Sequence, residues 1–306
     1  MIKQKIICIV GPSGIGKTKL SVELAKMFGG EIISADSMQI YKGMDVGTAK
    51  ITPSEMDGVC HHMIDIVSPL EKYSVSDWKD GAEKCIADIV SRHKIPFVVG
   101  GTGLYVSSLL YNYNFSKVAE NSELRNYYQK ILEEKGAEAL HKLLQEKDPE
   151  SASKIHPNKT KAVIRALEVA EEKKKDESFS NRNEGKYDYL LLGLNIDREK
   201  LYERINLRVD KMESEGLFEE FENLTKNCGL KRDHQSALAI GYRELFDFSD
   251  GVATKNDCLE LIKKDTRNYA KRQLTWFRRM ENIEWFEPGQ VDKIIKRIRE
   301  FLNENN

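Results

Sequence analysis

Gly11-Pro12-Ser13-Gly14-Ile15-Gly16-Lys17-Thr18 holds, in order, the residue types that a phosphate cradle needs. Glycines let backbone N–H groups turn inward around phosphate oxygens. Lys17 adds a full positive charge, and the Thr18 hydroxyl is of the kind that holds Mg²⁺. A helix starting directly behind the loop adds the partial positive charge of its N-terminus. A plain glycine turn between strand and helix would not require the closing Gly-Lys-Thr.

Asp36 is the next candidate, at the end of a short apolar run, Glu31-Ile32-Ile33-Ser34-Ala35. A carboxylate there can take a proton from an attacking amine, an effect of about 10²–10⁴-fold. An Asp in this setting can equally close a turn on its own backbone. Arg204 and Arg208 border one apolar helix stripe and have the fork geometry that suits phosphate oxygens; pairing with Glu203 or Asp210 at the surface is the alternative. Phosphate loops of nucleotide-hydrolysing enzymes normally work with an Asp at the end of an apolar strand, which holds the metal. Here Val98-Val99 ends in Gly100-Gly101, and only Asp65, after the weak run Met63-Ile64, offers a substitute. That gap argues against hydrolysis and for a diphosphate leaving group, its developing charge absorbed by Lys17, backbone N–H groups and Mg²⁺.

Lys271-Arg272-Gln273-Leu274-Thr275-Trp276-Phe277-Arg278-Arg279 interleaves cations with aromatic residues, a composition suited to nucleic acid. Trp276 and Phe277 are expected in the core rather than as stacking surfaces. The histidines have no metal-ligand spacing, and the five cysteines contain no Cys-x-x-Cys pair.

The elements that must position these residues follow from hydrophobic periodicity. Ile6-Ile7-Cys8-Ile9-Val10 reads as a buried strand feeding the glycine loop, and Leu20, Leu24 and Met27 as the inner face of the helix behind it. Gly29-Gly30 stops that helix and the run to Ala35 makes a second strand, so Asp36 and the loop share the carboxyl edge of one sheet. Residues 36–50 are polar, glycine-punctuated and without period, as an active-site loop would be. A short strand is expected over 61–66, a helix capped by Ser74 or Ser76, and a buried strand at 96–99 running into Gly100-Gly101-Thr102-Gly103. Strands alternating with helices imply a parallel sheet. Residues 116–185 are charged and helical without a strand signal until Tyr187. The last third is mostly helical: Asp197 caps a helix with Leu201, Ile205, Val209 and Met212 inward, and a basic helix runs from 262 to 280. The fold expected is α/β, a P-loop NTPase-like parallel sheet core (1–115 and 186–306) flanked by helices, with an all-helical insertion domain (116–185).

A chain of 306 residues can hold one large domain with an appendage. With 40% hydrophobic and 32% charged residues and a net charge of −1, no global field advertises nucleic acid, so any basic site must be local. Unpaired cysteines, no apolar run long enough to span a membrane and a strand starting near the N-terminus point to a cytoplasmic protein.

Together the ordered segments 11–18, 34–41, 43–50, 99–105, 156–158, 165–168, 239–243 and 270–278 resemble the tRNA dimethylallyltransferase (tRNA isopentenyltransferase) family. The resemblance implies Mg²⁺-dependent transfer of a dimethylallyl group from its diphosphate to N6 of adenosine 37 in tRNA, giving N6-(dimethylallyl)adenosine. It implies Asp36 as the base that engages N6, Arg208 and the loop Gly11, Pro12, Ser13, Gly14, Ile15, Gly16, Lys17 and Thr18 around the diphosphate, and Thr18 on the metal. Thr102 joins this catalytic set beside the reactive base. Contacts to tRNA are implied for Asp36, Ser37, Met38, Gln39 and Thr102, for Arg125, Lys159, Thr160, Lys161, Ala162 and Val163 in the insertion, and for Ala239, Gly241, Tyr242, Arg243, Lys271 and Arg272. The partners expected are dimethylallyl diphosphate and the anticodon stem-loop, with no membrane and a monomeric enzyme. Ser13 stands where the family usually has Thr and keeps the hydroxyl, so little change is expected. Lys159 and Lys161 replace the family's usual acidic residue and arginine, and Leu238 a frequent Gln; these last two departures bear on the tRNA contact rather than the chemistry. The rivals are an adenylate isopentenyltransferase, a small-molecule kinase and a non-catalytic RNA-binding protein that uses the loop as a nucleotide switch. The insertion and the basic helix favour the tRNA branch over the first.

Overall fold

The computed structural model describes residues 3–113, 122–173 and 185–303. By contacts the chain divides into two compact units, Met1–Asn112 with Glu184–Asn306, and Tyr113–Asn183. The domain boundary expected at 115–116 and residues 174–184 of the expected insertion lie outside the described residues.

The first unit is built on a six-stranded, all-parallel sheet. In chain order its strands are β1 (Gln4–Val10), β2 (Gly30–Ser34), β3 (His61–His62), β4 (Ile95–Gly100), β5 (Tyr187–Leu194) and β6 (Ile283–Phe286), arranged in space as β3-β2-β4-β1-β5-β6. The helices of this unit are α1 (Lys17–Phe28), α2 (Pro53–Met56), α3 (Val75–Ser91) and α4 (Gly103–Leu110), then, after the insertion, α8 (Arg198–Ser214), α9 (Leu217–Lys226), α10 (Leu245–Ser249), α11 (Lys255–Phe277) and α12 (Val291–Asn303).

Strand residues are apolar on both sides because helices cover both faces. Ile7 and Ile9 of β1, Phe97 and Val99 of β4, and Leu190 and Leu192 of β5 join Leu20 and Leu24 of α1 and Ile294 and Ile298 of α12. On the opposite face Ile6, Cys8, Val98 and Leu191 meet Trp78, Ala82, Ile86 and Ile89 of α3 and Val106 and Leu109 of α4. Met27, expected on the inner face of α1, is 53% exposed. The strand expected over 61–66 shrinks to two residues, because Met63 (φ 62°) and Asp65 (φ 54°) take the left-handed conformation that ends extended pairing.

The second unit is helical: α5 (Ser122–Lys147), α6 (Pro149–Lys154) and α7 (Thr160–Lys173). Gly136, at φ 81° and ψ 175°, breaks the path of α5 into two helices. Tyr128, Leu140 and Leu144 pack with Val163, Ile164 and Leu167 as a core of its own. Gly185 re-enters the first unit beside the point of departure: a Cβ on it would lie 3.0 Å from the Leu110 carbonyl oxygen. Among the described residues no helix is long and apolar enough to cross a membrane.

Candidate active site

The glycine loop joins β1 to α1, and three of its glycines are in conformations that favour glycine: Gly11 (φ 151°), Gly14 (φ 80°) and Gly16 (φ 98°). The approach is also close, since a Cβ on Gly11 would lie 2.8 Å from the Leu194 carbonyl oxygen. Lys17 Nζ donates to the Gly11 and Pro12 carbonyls at 2.9 and 2.8 Å. Burial pushes its ammonium down to about 7, against the nearby Asp36 charge, which works to raise it. The Thr18 hydroxyl has no hydrogen-bond partner among the described residues.

The end of β2 delivers Asp36. Its Oδ1 accepts from the Met38 N–H at 2.9 Å and from the Gln39 N–H at 3.4 Å, so Asp36 does close a turn on its own backbone. Oδ2 has no protein partner among the described residues and is left for a ligand. Thr102, after β4, ties this turn down: its Oγ1 accepts from the Ser37 N–H at 3.0 Å and donates to Ser37 Oγ at 3.3 Å. The hydroxyl of Tyr269, on α11, contacts the Thr102 and Gln273 side chains, and burial pushes that phenol up to about 12.

Of these groups Asp36 and Tyr269, with Ser13 of the loop, line a cavity of about 290 Å³, whereas Lys17, Thr18 and Thr102 are not among its lining residues. Ser13, Asp36 and Arg208 form its polar side, and Ile205, Val209, Met212 and Leu238 an apolar side. The helix α8 supplies both, because positions 205, 209 and 212 recur on one face. Arg208 NH2 donates to the Thr48 and Ala49 carbonyls at 3.2 and 3.4 Å, and burial lowers its affinity for its proton while Asp36 raises it. Arg204, expected as a second clamp, is not among the lining residues; it donates to the Ile15 carbonyl at 3.3 Å from the outside of the loop.

The loop 36–50, which supplies Asp36, Ser37, Met38, Gly47 and Thr48 to the cavity lining, is braced by side chains from other segments. Glu220 of α9 accepts from three consecutive N–H groups, of Asp45 (2.8 Å), Val46 (2.8 Å) and Gly47 (3.0 Å), and from the Tyr242 hydroxyl (2.6 Å). Lys50, buried, reaches the Tyr41 carbonyl, Asp45 and Asp65. Asp65, the one substitute for a metal-holding Asp, thus pairs with Lys50 and anchors this loop.

Of the residues expected at tRNA, Ser37, Met38, Ala239, Arg243 and Arg272 line the cavity with Asp36. Arg243 also pairs with Glu244 and Asp265. Gln39 instead donates to the Thr48 and Ala49 carbonyls, and Lys271 is exposed beside the Tyr202 ring. Tyr242 is fully buried and Gly241 buried at φ 99°, so both hold the turn in shape rather than present a surface. In the helical unit Lys159, Lys161 and Ala162 are exposed and Thr160 half-buried, Val163 is core, and Arg125 pairs with Glu168. Tyr269, Gln273 and Glu220 had no role in the sequence reading; the recurrence of 266, 269 and 273 on one face of α11 was the available signal.

A family model described as IPP transferase matches residues 39–280. A tRNA dimethylallyltransferase of Bacillus anthracis is 47% identical over 302 residues, which covers 98% of this chain and 96% of that protein. The crystal structure of a full-length tRNA isopentenylpyrophosphate transferase from Bacillus halodurans matches with a TM-score of 0.75 at 44% identity, over 99% of this chain and 98% of that one. A eukaryotic dimethylallyltransferase acting on tRNA matches with a TM-score of 0.82 at 29% identity, over 99% and 80% of the two chains. With a family model spanning most of its length and relatives alike from end to end, this chain belongs to the IPP transferase family.

Proposed function

We propose that the protein transfers a dimethylallyl group from dimethylallyl diphosphate to N6 of adenosine 37 in the tRNA anticodon loop. The observation that carries this reading is the shared cavity: Ser13 of the phosphate loop, Asp36 and Arg208 face one space with an apolar wall of Ile205, Val209 and Met212. A diphosphate with a short hydrocarbon tail needs that combination.

In the reaction N6 attacks C1 of the dimethylallyl group, the N6–C1 bond forms and the C1–O bond breaks. The electron pair of that bond leaves with the diphosphate, and the N6 proton passes to Asp36 Oδ2. An exocyclic amine is a weak nucleophile because its lone pair is delocalised into the ring, so stabilising the leaving group carries most of the rate. Lys17, the loop N–H groups and Arg208 supply it. Thr102 and Tyr269 fix the turn that aims Asp36. Extruding the adenosine costs less from a loop than from a duplex.

The loop suits Mg²⁺: the Thr18 hydroxyl is an oxygen donor without a protein partner among the described residues, at the start of the helix behind the glycine loop. When bound, Mg²⁺ would neutralise charge on the diphosphate.

The test is incubation with dimethylallyl diphosphate and either an anticodon stem-loop or AMP, read by mass spectrometry. The expected result is a dimethylallyl mass gain on the stem-loop. Mass gain on AMP alone would assign the protein to adenylate prenylation, and gain on neither would overturn the enzymatic reading.

A further inference from the structure

Trp276 and Phe277 are neighbours in sequence, and the sequence pattern places both in the core. Phe277 is fully buried, whereas Trp276 is 43% exposed. The indole is nevertheless held rigidly. Its Nε1 donates to Ser107 Oγ at 3.0 Å, and it lies so close over Gly103 that a Cβ there would come within 2.3 Å of Cδ1.

The position of this ring is what gives it meaning. Gly103 opens α4, and the residue before it, Thr102, is the one that fixes Ser37 at the active site. One turn earlier on α11, Arg272 lines the cavity, so the exposed indole lies one helical turn from a cavity-lining residue. Leu104, next in sequence to Gly103 at the start of α4, is also exposed. Lys271, Arg272, Arg278 and Arg279 surround it in sequence and have no acidic partner among the described residues. A half-exposed aromatic ring, held by a hydrogen bond and flanked by cations without acidic partners, is the arrangement that binds single-stranded nucleic acid: the ring stacks a base and the cations take the backbone.

We propose that Trp276 is a stacking platform for an unpaired base of the anticodon loop next to the adenosine that enters the cavity. The proposal rests on the tRNA reading above. Stacking there would hold the loop open beside the extruded base, so residue 276 would govern recognition of loop RNA but not of a free nucleotide.

Binding of a fluorophore-labelled anticodon stem-loop, without dimethylallyl diphosphate, tests it. Trp276→Ala should weaken binding by about 5- to 100-fold, the range for losing one stacked base, while Trp276→Phe stays within about threefold of wild type. A stem-loop abasic at the position flanking the target should lose a similar factor on the wild type and almost nothing further on Trp276→Ala. Stem-loop binding should also quench protein fluorescence in wild type and much less in Trp276→Phe, a readout that holds even if the alanine variant melts early. Equal affinity of Trp276→Ala and wild type, or an abasic penalty that ignores residue 276, would overturn the platform. If wild type neither binds nor prenylates the stem-loop, the tRNA reading itself falls; if it does both and the variants match it, only the platform falls.

Discussion

The Ser13 N–H donates to Gln273 Oε1 at 2.9 Å while Nε2 of the same carboxamide donates to the Gly101 carbonyl at 2.9 Å. One side chain, 5% exposed, therefore joins the phosphate loop to the glycine turn after β4. Removing it by Gln273→Ala leaves the buried Gly101 carbonyl and the half-buried Ser13 N–H without this partner. Urea denaturation should show a loss of about 1–3 kcal/mol. Gln273→Glu keeps the acceptor but loses the donor and sets a negative charge beside the diphosphate, so prenyl transfer should fall more than with alanine.

Asp36→Asn separates the two roles of this residue. The amide oxygen can still accept from the Met38 N–H, so the turn and the fold should persist. No proton can be taken at the other position, so kcat/KM for prenyl transfer should drop by about 10²–10⁴-fold. Stem-loop affinity, measured separately, should stay near wild type.

Lys17 makes diphosphate binding depend on pH. Its ammonium is held down to about 7, so at pH 8 most of the free protein carries it neutral, and a bound diphosphate would draw the proton back. Binding should therefore take up a proton, and affinity should weaken as pH rises above about 7. Calorimetry at pH 8 in buffers of different ionisation enthalpy should detect this uptake, and Lys17→Met should abolish it. The sign for stability is opposite. Between about 7 and 10.5 the unfolded chain holds more protons at this site than the folded one, so its contribution to stability rises with pH over that window.

Glu220 braces the loop without touching the cavity. Glu220→Ala would strip an acceptor from three backbone N–H groups and from the Tyr242 hydroxyl at once. A charge-assisted network of this kind should cost about 2–4 kcal/mol, seen as a lower denaturation midpoint. KM for dimethylallyl diphosphate should rise more than kcat falls, since Thr48 and Ala49, the acceptors of Arg208, lose their support. Glu220→Gln should recover part of both.

The features legible in the sequence are those written in consecutive residues. The phosphate loop between β1 and α1, Asp36 at the end of β2 and the inward stripe of α8 each depend on local periodicity and on glycine chemistry. The sheet order was not legible, because no local pattern says that β1 lies between β4 and β5. Gln273 escaped for the same reason, being distant in sequence from both Ser13 and Gly101. Arg204 and Arg208 look alike in the sequence, but Arg208 lines the cavity while Arg204 donates to the Ile15 carbonyl, a difference set by contacts with segments far away in the chain. Trp276 shows the converse: its composition suggests the core, yet it is half exposed with its Nε1 bound to Ser107 Oγ on α4, far away in sequence.

The close approach of Gly185 to Leu110 means that the polypeptide leaves and re-enters the core through a single doorway. A detour whose two ends are pinned together adds only a slowly growing entropic burden as it lengthens. The sheet can thus close around β5 whatever the state of the excursion, and the excursion is free to vary in length and surface. In this arrangement the core is an uninterrupted chassis and the helical unit an attachment whose surface can change without disturbing the sheet.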